Sequence, residues 1–324
     1  MRDHPRLRVL ALIAAFALIL GIAACGDDEG DGGGGDTSAS LIEENPDNNG
    51  IAITVGSKNF DEQFVLGEIY AQGLEAAGYD VSKDLNLGDE SIAFKALGDG
   101  EIDAYPEYTS TILTSIFEIP PEDVPADAQQ AFDESQGEFE QLGLVAYPPT
   151  PFSSANAVGL LTDTADELGV STISDLEGKS QDLVLAGSPE CRQRIDCLLG
   201  LEQNYGLEFK EFTPVDIGLR YEVLDNGDAD LSILFTTDPQ LFTDPDTYTV
   251  LEDDKGVLPA GNVLFVARQE TVDEAGDDFG TTVESVQENL TLEVMQELNA
   301  RVTEDKEKPE DVAHDYLVEF GYVE

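Results

Sequence analysis

The chain has no tryptophan, two histidines, three cysteines, and only 16 lysines and arginines against 68 aspartates and glutamates in 324 residues. Each shortage excludes something. Nucleic-acid binding relies on basic side chains that displace phosphate counterions, so a formal charge of −52 argues against it as a function. The same charge opposes adsorption to anionic lipid. His4 and His314 leave almost nothing for imidazole chemistry, and no GxSxG, HExxH or CxxC motif occurs. Carboxylate pairs are so abundant that none stands out as a catalytic dyad. The reading is therefore not an enzyme, with no metal and no cofactor. After the first 25 residues no apolar run approaches the ~18–20 residues that span a bilayer. What is present is 41% apolar residues, enough for a packed core.

The basic residues that do occur are informative by position. Arg2, Arg6 and Arg8 precede the apolar run VLALIAAFALILGIAA, which ends Ile22, Ala23, Ala24, Cys25. A positive start, an apolar core and small residues before a cysteine form the lipobox pattern of bacterial lipoproteins. Residues 1–25 are thus expected to be a signal peptide, with Cys25 becoming the lipidated first residue. Residues 26–50, opening GDDEGDGGGGDTSAS, read as a flexible acidic tether, and their aspartates fit no EF-hand spacing. The lipid would be the sole attachment to the outer face of the cell membrane. Outside the reducing cytosol, Cys191 and Cys197 in SPECRQRIDC are expected to form a disulfide.

From Ile51 onward short apolar runs alternate with helical patterns. IAITVG reads as a strand, and DEQFVLGEIYAQGLEAAGY as a helix ended by Gly78. Such alternation predicts an α/β fold built on mainly parallel sheet. Two segments align without a gap: Asp89–Thr109 and Asp216–Thr236. Gly100 matches Gly227, Asp103 matches Asp230, Tyr108 matches Phe235 and Thr109 matches Thr236. Each reads as helix, glycine turn and strand, which predicts two similar lobes. Residues 51–150 are expected to begin lobe 1, 151–258 to form lobe 2, and 259–324 to return to lobe 1. The crossings fall in YPPTPF (147–152) and VLPAGN (257–262). The amphipathic run 282–302 is expected to pack on lobe 1 without a site role. Ligands of open α/β sheets bind beyond the carboxyl ends of strands, where Lys58, Tyr108 and Phe235 are expected.

VGSKNFDEQFVLGEIYAQGLEAAGY, ALGDGEIDAYPEYTST and LFTTDPQL, in that order, resemble the substrate-binding proteins of ABC importers for glycine betaine, choline and related osmoprotectants. The resemblance covers Ile51 to the C-terminus. It implies a type II periplasmic-binding-protein fold, two α/β lobes joined by two hinge crossings that close over a solute. It further implies a monomer delivering a zwitterionic or cationic solute to a permease driven by its ATPase. On this resemblance Lys58 and Arg192 hold a solute carboxylate, through charge-assisted contacts of roughly 1.5–3 kcal/mol each. Arg192 and Arg194 could instead pair with neighbouring acids. Tyr108 and Phe235 fall on positions of an aromatic box that attracts a quaternary ammonium, at ~0.5–2 kcal/mol per contact. Thr111 and Thr236 are polar neighbours. Two further box positions carry Asn156 and Gly261, so Tyr147, Phe152 or Tyr221 would have to complete the box. Alternatively, Asn156 suits a polar amino acid or another amine-bearing zwitterion. A sensor using the same fold without transport is a further reading.

Overall fold

The computed structural model describes residues 41–324; the expected signal peptide, Cys25 and the tether up to residue 40 lie outside the described residues. Strand β1 (Ala52–Gly56) buries Ile53 and Val55 completely, as a strand covered by helices must. Helix α1 (Asp61–Ala76) follows, with Asp61 and Glu62 in its first turn, where the helix dipole favours acidic groups. Its Val65, Leu66, Ile69, Tyr70 and Leu74 face the core. Burying one such side chain stabilises the fold by roughly 1.5–3 kcal/mol.

Two sheets organise the described chain. The first contains β2 (Asp80–Asp84), β1, β3 (Ala104–Tyr108), β11 (Gly261–Arg268) and β4 (Leu144–Ala146), in that order, with β5 (Ser153–Ser154) added beside β11. The second runs β10 (Tyr248–Val250), β6 (Asn156–Leu161), β9 (Leu231–Phe235), β7 (Val184–Gly187), β8 (Glu211–Pro214). Both sheets are mixed rather than mainly parallel. Strands β1, β2 and β3 run parallel, as do β7, β8 and β9, whereas β11 and β6 run against their neighbours. The reason is connectivity. β6 and β11 are the strands by which the chain enters each sheet from the other, so they start where β9 and β3 end: Asn156 pairs with Phe235, and Val263 with Tyr108.

The first sheet has cores on both faces. One packs α1 with the helices Asp277–Gln287, Leu292–Thr303 and Pro309–Glu319; the other packs helix α2 (Glu90–Asp99) and helix Ala128–Gln141. The second sheet has its own core around Leu160, Leu185, Leu201 and Leu231. No helix among the described residues is long and apolar enough to cross a membrane. Residues 41–50, the end of the expected tether, are docked on the first lobe: Ile42 N donates to Tyr322 O and Asn45 N to Ala77 O. The amphipathic run 282–302 is divided between two helices that break near Asn289.

The sequence repeat has a structural counterpart in each sheet. Asp89 and Asp216 each precede a helical turn, and Gly100 (φ 75°) and Gly227 (φ 71°) take the left-handed conformation that glycine tolerates. Asp103 Oδ2 accepts from Thr54 N on the neighbouring strand at 2.8 Å, and Asp230 Oδ2 accepts from Val184 N at the same distance. These matched aspartates bind each repeat strand to its parallel partner. Consequently Tyr108 and Phe235 emerge at equivalent strand ends.

Candidate functional site

The carboxyl ends of β1, β3 and β9 converge on a cavity between the lobes, bordered by Lys58, Phe60, Tyr108, Asn156, Arg220 and Phe235. Ser110 and Thr111 from the turn after β3, and Glu90, Arg194 and Asp196, complete its polar wall. Three rings meet there. Phe60 lies 6.3 Å from Tyr108 in a stacked arrangement and 5.4 Å from Phe235, so a ring of the first lobe touches one of the second. Ring faces of this kind attract cations, and the protein supplies its own: Lys58 Nζ sits 4.5 Å from the Tyr108 centroid, and the Arg220 guanidinium 3.9 Å from that of Phe235.

Every base at the cavity has an acidic partner. Lys58, almost wholly buried, pairs with the fully buried Glu107, which also accepts from Tyr105 Oη at 2.9 Å and Tyr108 N at 2.7 Å. Arg194 grips Asp196 with two hydrogen bonds, at 2.8 and 2.5 Å, and reaches Glu90 on the first lobe at 3.4 Å. Arg220 donates to Asp238 Oδ1 at 2.7 Å and to Ile217 O at 2.7 Å. Buried charges persist only when paired and hydrogen-bonded in this way. Glu62, which lines a neighbouring cavity between the lobes, is a buried carboxylate with no ion pair among the described residues. It accepts from Tyr108 Oη at 2.5 Å and Asn299 Nδ2 at 2.7 Å. Burial raises its pKa above the ordinary value and the nearby Asp238 charge adds to this, against the hydrogen bonds it receives.

The expected site residues divide accordingly. Lys58, Tyr108, Thr111, Asn156 and Phe235 border the cavity. Arg192 does not: it is exposed, donates to Phe212 O at 2.8 Å and lies over the Phe212 ring. Arg194, two residues on, takes the cavity position. Thr236 does not border it either, because its hydroxyl accepts from Ala155 N and so fastens the crossing into β6. Asn156 donates from Nδ2 to Asp196 O at 2.9 Å. Gly261 cannot be an aromatic position, since a Cβ there would lie 2.5 Å from Ser110 N. Tyr147 and Phe152 are in the first lobe's core, and Tyr221 stacks edge-on against Tyr248. The pair Cys191–Cys197 is bridged, with Cα atoms 5.2 Å apart, behind the Arg194 loop.

Three participants were missed from the sequence. Phe60 stands two residues after Lys58, inside the VGSKNF motif itself. Arg220 occupies the repeat position where the first lobe has Ala93, and that departure was its signal. Asn299, on helix Leu292–Thr303, bonds both Glu62 and Thr237 O of the second lobe, so the C-terminal run does reach the interlobe seam.

The family model for the substrate binding domain of ABC-type glycine betaine transport systems matches residues 51–319. The glycine-betaine-binding protein of Pseudomonas aeruginosa is 33% identical over 278 residues, covering 82% of this chain and 87% of that protein. The ergothioneine transport permease/ergothioneine binding protein of Helicobacter pylori is 28% identical over 284 residues, 87% of this chain; the match spans about half of that relative, 49%. Among solved structures, a glycine betaine/carnitine/choline ABC transporter protein is similar in fold with a TM-score of 0.64 at 24% identity, over 82% of this chain and 98% of that one. The two-lobed architecture is that of the type II periplasmic binding proteins.

Proposed function

The chain belongs to the family of substrate-binding domains of ABC-type glycine betaine transport systems, and from that premise we propose that it captures a small quaternary-ammonium solute between its lobes and delivers it to an ABC permease. The observation that carries this reading is the meeting of three rings with paired bases in one interlobe cavity. A quaternary ammonium has no N–H to donate, so ring faces are what can hold it. In our reading Tyr108, Phe60 and Phe235 take the cationic head. Lys58, Arg194 and Thr111 take a carboxylate or hydroxyl, and Asn156 orients the Asp196 segment. Arg192 and Thr236 support the fold instead.

Closure is the mechanism we propose. Solute contacts both lobes only when they are shut, so it shifts the population toward the closed form. Cross-lobe contacts such as Arg194–Glu90 and Asn299–Thr237 would complete with that motion. The protein returns its solute unchanged and is not an enzyme. Import energy would come from a partner ATPase, and the relative named as both transport permease and binding protein supports a permease partner. We further propose that Cys25 carries a lipid holding a monomeric body at the outer face of the cell membrane. The test is calorimetric titration of the lipid-free chain with glycine betaine, choline, carnitine and a panel of polar amino acids. Saturable binding of a trimethylammonium solute is expected. Silence toward the three trimethylammonium solutes, with binding of a polar amino acid from the panel, would overturn the reading.

A further inference from the structure

This inference rests on reading the interlobe cavity as the quaternary-ammonium site, and concerns a residue that acts on that site without bordering it. Tyr108 stands between two buried carboxylates: its backbone N donates to Glu107 Oε1 at 2.7 Å, and its hydroxyl to Glu62 Oε1 at 2.5 Å. The two differ in how their charge is met. Glu107 is paired with Lys58. Glu62 receives neutral donors from three directions: Tyr108 at the end of β3, the Thr237 hydroxyl after β9, and Asn299 Nδ2 on helix Leu292–Thr303 at 2.7 Å. The charged groups that share its cavity leave it unneutralised. Arg220 is taken by Asp238, which also accepts from Tyr221 Oη, and Asp61 accepts from Thr303 Oγ1.

We infer that Glu62 is a positioning residue for the ammonium site: its carboxylate holds the Tyr108 hydroxyl, fixes the ring at the cavity and supplies, through that ring, negative charge for the solute's cationic head to balance. A phenol that donates to a carboxylate is polarised toward its ring, so the ring face attracts a cation more strongly. The added charge matters because Lys58 Nζ already sits 4.5 Å from the Tyr108 centroid, and Glu107 is committed to that lysine. Glu62 itself does not touch solute; it borders the neighbouring cavity, and Tyr108 the main one. A proton on Glu62 competes with the solute for this role. Burial makes the free protein hold that proton more tightly than an ordinary carboxylate does, and the ammonium favours the ionised form. Binding therefore expels the proton to the buffer, and affinity falls as pH drops through the raised value.

The experiment titrates wild type, Glu62→Gln and Tyr108→Phe with glycine betaine and with choline, whose charges stay constant between about pH 8 and about pH 5. Calorimetry in two buffers of different ionisation enthalpy reads the protons released. Glu90, also raised by burial, borders the main cavity, so the quantity that decides is the difference between wild type and Glu62→Gln. Glu62→Gln is expected to weaken both solutes about tenfold at about pH 8, with the deficit narrowing and the extra proton release gone at about pH 5. Tyr108→Phe keeps the ring and drops the hydroxyl; it should lose affinity likewise, and adding Glu62→Gln to it should cost less than about twofold more. Unchanged affinity in Glu62→Gln overturns the inference. So does a loss equal at every pH with proton release as in wild type, which would make Glu62 merely structural. Should Glu62→Gln fail to fold in a thermal melt, Tyr108→Phe carries the test, and proton release equal to that of wild type overturns the inference. Wild type that binds no trimethylammonium solute sinks the functional reading and this inference with it. Wild type that binds, with affinity and proton release indifferent to Glu62, sinks only the inference.

Discussion

Replacing Lys58 by methionine would separate what the Lys58–Glu107 pair does for the fold from what it does for the solute. Lys58 is 4% exposed and Glu107 fully buried, so the substitution strands a carboxylate away from water. Breaking a buried pair from one side typically costs ~3–5 kcal/mol. Glu107 would keep its hydrogen bonds from Tyr105 Oη and Tyr108 N, which favours the lower end, about 3 kcal/mol. For a body of this size that lowers the melting temperature by roughly 6–12 °C. Lys58→Met/Glu107→Gln removes both charges and should recover most of the loss, because two absent charges need no compensation. Urea unfolding of the four proteins in the cycle gives the coupling energy. Titration with solute gives the other half: the double variant should fold well yet bind at least about tenfold more weakly, since the solute has lost a charged partner worth about 1.5–3 kcal/mol. A single-variant cost below about 1 kcal/mol, or a double variant no more stable than Lys58→Met, would refute the burial argument. Full binding by the double variant would refute the assignment of Lys58 to the solute.

Three further outcomes follow from neighbouring features. Arg194→Ala should weaken solute binding by more than about tenfold because it strips the cavity of a half-buried guanidinium, whereas Arg192→Ala, exposed and stacked on Phe212, should leave the dissociation constant within about twofold. Replacing both Cys191 and Cys197 by serine should cost about 2 kcal/mol by loop-closure entropy in so short a loop; calorimetry showing an unchanged melting temperature would contradict that. Glu62 gives a pH dependence with a definite sign. Its pKa is raised in the folded protein, so the folded state holds the proton more tightly than the unfolded chain. Its contribution is full below the ordinary value of 4.5 and is lost as pH rises from there toward the raised value. Unfolding of wild type and Glu62→Gln across pH 4.5–7 should show the difference shifting in favour of the glutamine with rising pH, and a pH-independent difference would contradict it.

Much of this architecture was legible because it depends on local rules. The run before Gly56 and the helix that ends ahead of Gly78 follow from period and punctuation, and the two aligned segments led to Tyr108 and Phe235 at matching strand ends. Sheet direction was not legible, since a strand's own sequence does not say from which lobe the chain arrives. Nor was the choice between Arg192 and Arg194, which are separated by two residues in a disulfide-closed loop where the turn decides which side chain faces inward. Gly261 misled for a different reason: its lack of a side chain answers the close approach of Ser110 and says nothing about the solute. Phe60 and Asn299 were missed because contacts across the seam pair residues far apart in the chain, and no period records them.

The hydrogen bond from Ile42 N to Tyr322 O sets the two ends of the described chain side by side on the first lobe. The second lobe is a loop-out between them, reached and left through two crossings. A load applied between Ile42 and Tyr322 therefore bears on contacts of the first lobe and not on the second. A molecule held by its leading end would have one lobe acting as the mount and the other as an unloaded jaw, free to open and shut whatever the pull. A pair of fluorophores at residues 42 and 322 would register no jaw movement; one placed on β8, at the far edge of the second sheet, and one at residue 322 would follow it.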